Sequence, residues 1–254
     1  MNETIRKQLD HRTIREFTED PIPKEIVDQL FQVARRTASS TGMQASSIIR
    51  VNDPEKKKAI AKVCRQEYVA RAPELWIFIV DLYRNSRIAK EKNCFAESIR
   101  DMDRFFSGFT DACIMTQNVV NAAESMDLGT NYLGSILNDP MEICKILNLP
   151  KLTFPVVGLG IGYPNQKPQI KPKMDMKFRV FEDEYKPLKN YLEAFKDYDQ
   201  EMHTYYDLRD ANRRVDCFTD QVVKGLVNVI PKRQEILNFV IEQGFDLGLY
   251  KEEE

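Results

Sequence analysis

Ile22, Ile26, Val27, Leu30, Phe31 and Ala34 recur at three- and four-residue intervals, a spacing that predicts a helix over about 24 to 36. Pro23 suits its first position, where the missing N–H costs nothing. Residues 2 to 10 read as a shorter helix with Ile5 and Leu9 on one face. Ser46 to Val51 reads as a strand, and Asp53-Pro54 opens a helix running through Cys64. Leu75-Trp76-Ile77-Phe78-Ile79-Val80 is an unbroken run of apolar, aromatic and β-branched residues, the mark of a central strand covered on both faces. The longest predicted helix spans 94 to 126, with Phe95, Ile99, Met102, Phe106, Phe109, Cys113, Thr116, Val120 and Ala123 alternately four and three apart. From Phe109 onward Ile114, Met115, Val119 and Ala122 add a second apolar side, which buries this half either in the body of the protein or in a subunit interface. Gly129 is placed to end the helix as a left-handed cap.

Asn131 to Ser135 then reads as a strand entering a tight turn, followed by a helix from about Pro140 to Leu147 and a strand from Phe154 to Tyr163. Gly158, Gly160 and Gly162 share one face of that last strand, which fits close packing against a neighbour or a flat ligand. They are no dinucleotide fingerprint, because the spacing is wrong and Pro164 follows instead of a helix. Gln166 to Lys173 is loop, and Leu188, Tyr191, Leu192, Phe195, Tyr198, Met202, Tyr205 and Tyr206 make an aromatic-rich amphipathic helix. Arg209, Arg213 and Arg214 sit in a short polar loop; Pro231 breaks a helical region, and Gly244 caps a last helix carrying Ile236, Leu237, Val240 and Ile241. Strands and helices intermix without regular βαβ alternation, so the expected fold is α+β, a sheet wrapped by helices. No repeat or flexible linker divides the chain, which predicts one domain over 1–254 with a C-terminal excursion from about 165.

Charge and cysteine usage narrow the partners. Lys+Arg 37 against Asp+Glu 39 gives a net charge of -2 over 254 residues, so no global basic field recruits nucleic acid or an acidic membrane, and any anion site must be local. Five scattered cysteines without a C-x-x-C pair argue against a disulfide framework and a zinc site and fit a cytoplasmic, reduced setting. No signal peptide and no run of some 18 apolar residues is evident. With only His11 and His203, and no G-x-S-x-G, Walker or H-E-x-x-H motif, no catalytic residue or metal ligand set can be named. A bound cofactor would supply the chemistry.

The local anion site is His11-Arg12-Thr13-Ile14-Arg15. Two arginines three apart lie on one side of a helical turn, each with a fork of donors suited to phosphate. The alternative is that both are surface charges pairing with Glu16 and Glu19. Thr37-Ala38-Ser39-Ser40-Thr41-Gly42 adds a hydroxyl-rich loop.

These segments, with Gln44-Ala45-Ser46-Ser47, Glu74-Leu75-Trp76, Tyr132-Leu133-Gly134-Ser135, Lys171-Pro172-Lys173 and Asn212-Arg213-Arg214 in the same order, resemble the NADPH-dependent FMN oxidoreductase branch of the nitroreductase family over almost the whole chain. The resemblance implies a nitroreductase-like fold with a mostly antiparallel sheet, assembled as an intertwined homodimer with FMN between subunits and the long helix at the interface. It implies that His11, Arg12, Thr13, Ile14 and Arg15 hold the FMN phosphate and part of the ring, with Ser39 and Gln66 on the same flavin. Leu133, Gly134 and Ser135 match the turn against the reactive edge near N5, and Lys171 and Lys173 match a basic loop near the pyrimidine end. Arg209 and Arg213 match the loop for the 2′-phosphate of NADPH. The implied activity is ping-pong reduction of nitroaromatics, quinones or free flavin; the alternative is a flavin-binding redox sensor or carrier with little turnover.

The departures are specific. Thr13 replaces a serine and keeps the hydroxyl; Lys173 replaces an arginine and loses the fork. Gly42 stands where an aromatic is common, widening the pocket above the flavin, and Val215 to Phe218 replaces a tryptophan-containing end of the basic loop.

Overall fold

The computed structural model describes residues 1–209 and 216–248. They form two compact units, one of Met1–Pro168 with the segment from Pro231, the other Gln169–Ile230. The first unit runs α1 (Glu3–Leu9), α2 (Lys24–Arg35), β1 (Ser46–Arg50), α3 (Pro54–Cys64), β2 (Glu74–Asp81), α4 (Tyr83–Glu91), α5 (Met102–Ser125), β3 (Gly129–Leu133), α6 (Pro140–Ile146) and β4 (Thr153–Gly162). The second holds α7 (Tyr191–Arg209) and α8 (Phe218–Val227); α9 (Pro231–Gln234) and α10 (Ile236–Glu242) return to the first.

The four strands form one sheet in the order β1-β2-β4-β3, and every pairing is antiparallel. The apolar run of β2 divides by parity, as a two-residue period requires. Trp76, Phe78 and Val80 enter the core built with α2 and α5, while Leu75, Ile77 and Ile79 enter the one built with α3 and α6. Phe31 of α2 stacks on Trp76 with ring centroids 4.5 Å apart. Glu74, buried at the start of β2, accepts from Arg50 Nε at 2.7 Å and from the Trp76 indole N–H at 2.8 Å, so its charge is matched where water is absent.

Two predicted boundaries move, and one helix forms that no pattern predicts. The long helix starts at Met102, not 94, because Asp101 is extended and 94–101 holds only a 3-10 turn at Glu97–Arg100. Phe95 is exposed there, so its place in the apolar periodicity was accidental. Ahead of it α4 forms without a buried residue, which left no hydrophobic period to read. Gly129 does not cap α5: it opens β3, and the left-handed residue is Asp127 at φ 60°. Gly129 is small because Ile14 packs against it, with side-chain atoms 2.7 to 2.9 Å from where a Cβ would stand. The three glycines of β4 are likewise filled by neighbours and not left for a flat ligand, Gly158 by Leu133, Gly160 by Asn131 and Gly162 by Phe17.

In the second unit the aromatic helix begins at Tyr191. Phe195 and Tyr198 pack on Phe218 at 5.5 and 5.2 Å, and Asp199 holds the first turn of α8 through the N–H and hydroxyl of Thr219.

Candidate active site

Residues 11 to 17 are not a helical turn. The segment is extended and pinned beside β3: Thr13 bridges Thr130 in parallel, the Ile14 N–H donates to the Thr130 carbonyl at 2.9 Å, and Asn131 Nδ2 donates to the Ile14 carbonyl at 2.8 Å. Burial of Ile14 over Gly129 selects this conformation. In an extended chain residues three apart point to opposite sides, so Arg12 and Arg15 do not form a single fork-bearing face. Arg12 is half-buried and Arg15 is exposed. Nor does Arg12 pair with Glu16 or Glu19; its Nη1 and Nη2 donate to Asp10 at 3.1 and 2.8 Å, while Glu16 pairs with Arg71. His11 Nδ1 lies 2.7 Å from Glu124 Oε1, which also accepts from the Thr130 hydroxyl at 2.8 Å.

His11, Arg12 and Ile14 line a cavity of about 560 Å³ together with Lys7 and Lys167 and with Asp10, Glu124 and Asp127, which pair with Arg12, His11 and Lys7 respectively. Arg12 Nε is buried and has no hydrogen-bond partner among the described residues. A buried charged donor without an acceptor is costly, and an anion beside it removes the cost. Asp10 is more than half exposed, and surface pairs of this kind hold about 0–1 kcal/mol, so a doubly charged phosphate displaces it readily. The donor set therefore fits a phosphate.

Ser39 lies elsewhere. It is exposed on the rim of a second cavity of about 1060 Å³, shared with Gln44, Arg84 and Asp111. Asp111 of α5 is 2% exposed and anchors the serine loop by accepting the Ser40 N–H at 2.8 Å, while its other oxygen is buried without a partner among the described residues. Arg84 holds the far end of the loop, donating to the Gln44 carbonyl and, at 3.0 Å, to the Ser47 hydroxyl. Sequence reading passed over both, yet a carboxylate amid the apolar stripe of α5 is itself a signal. Asp111→Ala is expected to lower stability by about 1–3 kcal/mol, seen as a thermal midpoint lower by roughly 2–4 °C per kcal/mol, while Asp111→Asn, which keeps an acceptor for Ser40, loses less. Equal loss in both variants would remove the loop-anchoring role.

Gln66 and the turn after β3 do come together. The Ser135 hydroxyl donates to Gln66 Oε1 at 2.9 Å, and behind them burial pushes up the Cys64 thiol, a hydrogen bond with Ser135 acting the other way. Leu133 is buried, and Gly134 has nothing within 4 Å of the place a Cβ would take, so this backbone is open to a ligand. Lys171 and Lys173 lie in the second unit, in the loop before α7. Arg209 is the last residue of α7, and Arg213 lies outside the described residues. Among the described residues no group of His, Cys, Asp and Glu could hold a metal ion, and no helix is long and apolar enough to cross a membrane.

Comparison with known proteins identifies the family. Residues 9–163 match the Nitroreductase family and 171–248 match its C-terminal domain. The oxygen-insensitive NADPH nitroreductase of Salmonella typhimurium is 34% identical over 96% of this chain and 99% of its own. The FMN reductase (NADPH) of Bacillus subtilis is 32% identical over 97% and 99%. Among solved structures, the NADPH:FMN oxidoreductase of Vibrio harveyi complexed with NAD+ superposes with a TM-score of 0.85 at 31% identity, covering 96% of this chain and 99% of that one. Nitroreductase A from Vibrio parahaemolyticus gives 0.87 at 34%, covering 96% and 98%. With its antiparallel sheet, its pinned basic segment and these matches along nearly its whole length, this chain belongs to the nitroreductase family.

Proposed function

We propose that this chain is an FMN-dependent, NADPH-consuming oxidoreductase that reduces nitroaromatics, quinones or free flavin. The observation that carries it is the buried, unpartnered Nε of Arg12, whose residue lines a cavity with Lys7, His11 and Lys167 on one side of the charge balance and Asp10, Glu124 and Asp127 on the other. Relatives described as NADPH nitroreductase, FMN reductase and NADPH-flavin oxidoreductase support the same reading. Bound FMN supplies the two-electron chemistry in two half-reactions, the first with NADPH and the second with the acceptor.

The residues of this chain bind and orient. Arg12, with His11, Thr13, Ile14 and Arg15 on the same pinned segment, receives the phosphate. Gln66 has its carbonyl occupied by Ser135 and so presents its amide N–H₂, while Leu133, Gly134 and Ser135 offer open backbone. Lys171 and Lys173 place positive charge for the pyrimidine end, where charge accumulates on reduction. Arg209 and Arg213 take the 2′-phosphate of NADPH. Ser39 and the grip line separate cavities, so each is half of a site that a second copy completes, and we assign a homodimer. The exposed Phe106 and Ile114 of α5 give that dimer an apolar face.

An absorbance spectrum tests the reading. Purified protein is expected to be yellow, to bleach on anaerobic addition of NADPH, and to recover with a quinone or nitro compound. Colour that neither NADPH nor NADH bleaches points to a redox sensor or carrier, and protein indifferent to FMN rejects the site. Arg209→Ala and Arg213→Ala are expected to lower the NADPH/NADH ratio; an unchanged ratio removes their assignment.

A further inference from the structure

The turn after β3 is clamped from outside by the closing segment of the chain. Arg233 on α9 donates from Nη1 to the Gly134 carbonyl at 3.1 Å and reaches Asn138 Oδ1 at 3.4 Å. Its neighbour Lys232 forms an ion pair with Asp139, the residue that caps α6. Arg233 thus reaches both ends of the 3-10 turn Gly134–Asn138, and Lys232 holds the residue that follows it. Asn138 is tied inward as well, donating to the Val63 carbonyl at 3.2 Å, and Ser135 is tied to Gln66 at 2.9 Å.

We propose that Arg233 is a positioning residue that fixes and polarises the Gly134–Ser135 peptide facing the flavin and thereby lowers the reduction potential of bound FMN. The proposal rests on the flavin reading of the site. A peptide unit is planar and trans, so holding the carbonyl at one edge fixes the direction of the N–H at the other. A guanidinium on the carbonyl oxygen draws electron density from the whole amide, and the Ser135 N–H becomes a stronger donor. The side chain of Ser135 is held by Gln66, so the peptide has little freedom to turn away. Gly134 leaves the approach to this backbone open. Near N5 an oxidised flavin would offer a bare nitrogen that accepts this N–H, whereas hydride transfer leaves that nitrogen carrying its own hydrogen, so a fixed, strengthened donor stabilises the oxidised state more than the reduced one. Arg233 itself is exposed, so its field through water is weak and the hydrogen bond at 3.1 Å carries the effect.

The experiment is a reductive titration of the FMN-loaded dimer against a reference dye, comparing wild type with Arg233→Ala, Arg233→Gln and Arg233→Lys. Loss of the cation is expected to weaken binding of oxidised relative to reduced FMN about tenfold, which for a two-electron couple raises the midpoint by about 30 mV. Arg233→Gln keeps a neutral donor and is expected to rise nearly as far as Arg233→Ala, whereas Arg233→Lys returns most of the way to the wild-type potential. A merely structural role would lower the melting temperature and FMN occupancy and leave the potential of the remaining flavoprotein unmoved. Wild-type potential in Arg233→Gln with FMN still bound overturns the proposal. So does an effect confined to the acceptor KM, which would make Arg233 an acceptor contact. Wild-type protein that takes up no FMN overturns the flavin reading itself, an outcome distinct from both.

Discussion

Arg12→Ala is expected to weaken FMN binding by a factor of at least 100 while leaving riboflavin, which has no phosphate, bound as before. In the folded chain Arg12 has its fork on half-exposed Asp10 and its Nε buried without a partner among the described residues. Exchanging Asp10 for a phosphate gives up an interaction of about 0–1 kcal/mol and gains charge-assisted hydrogen bonds of about 1.5–3 kcal/mol each. Removing the guanidinium deletes roughly 3 kcal/mol or more of that gain, and each 1.4 kcal/mol is tenfold in affinity. The protein itself loses little, since the Arg12–Asp10 pair is a surface contact and the segment is anchored by Ile14, Thr13 and Asn131 instead. Arg12→Lys keeps the charge without the fork and is expected to fall between. Titrations followed by flavin fluorescence decide the matter. If FMN and riboflavin weaken equally, Arg12 contacts the ring and the phosphate lies elsewhere.

Much of the fold was legible because its signals were local. The period-2 division of Leu75 to Val80 between two cores, the Asp53-Pro54 start of α3 and the left-handed Gly244 each depend on a few adjacent residues. The identity of the basic segment was legible too, but not its shape. A three-residue spacing of arginines suits a helix, and only Ile14 settling over Gly129 across more than 100 residues of sequence makes the segment extended. Helix α4 was unreadable because it buries nothing. Arg233 was missed for a further reason: it acts on a backbone group, the Gly134 carbonyl, and a backbone group leaves no letter in the sequence. The site residues that sequence did name fall into separate places in one chain. Gln66 and Ser135 are a distant pair that does meet directly.

Gly129 and Gly134 stand five residues apart and are expected to respond to valine in opposite ways. At Gly129 a Cβ would sit 2.7 Å from Ile14 Cγ1 and 2.8 Å from Ile14 Cβ, branched carbons that cannot swing aside. Overpacking of this kind costs about 1–3 kcal/mol, and here it also pushes Ile14 off β3 and with it the segment that carries Arg12. Gly129→Val is therefore expected to lower the melting temperature by several degrees and to lose FMN as a consequence. At Gly134 nothing lies within 4 Å of the new Cβ and the backbone does not have positive φ, so Gly134→Val folds normally, with a midpoint within about 2 °C of wild type. Its branched side chain occupies the space proposed for the flavin, and FMN affinity is expected to fall at least a hundredfold. Riboflavin separates this variant from Arg12→Ala, since a blocked ring site rejects both flavins whereas a missing phosphate contact rejects only one. A Gly134→Val protein that keeps full FMN affinity would mean that the flavin does not lie against this turn, and the proposed role of Arg233 would fall with it. A stable Gly129→Val protein that binds FMN normally would mean instead that the basic segment holds its shape without Ile14, leaving Thr13 and Asn131 as its anchors.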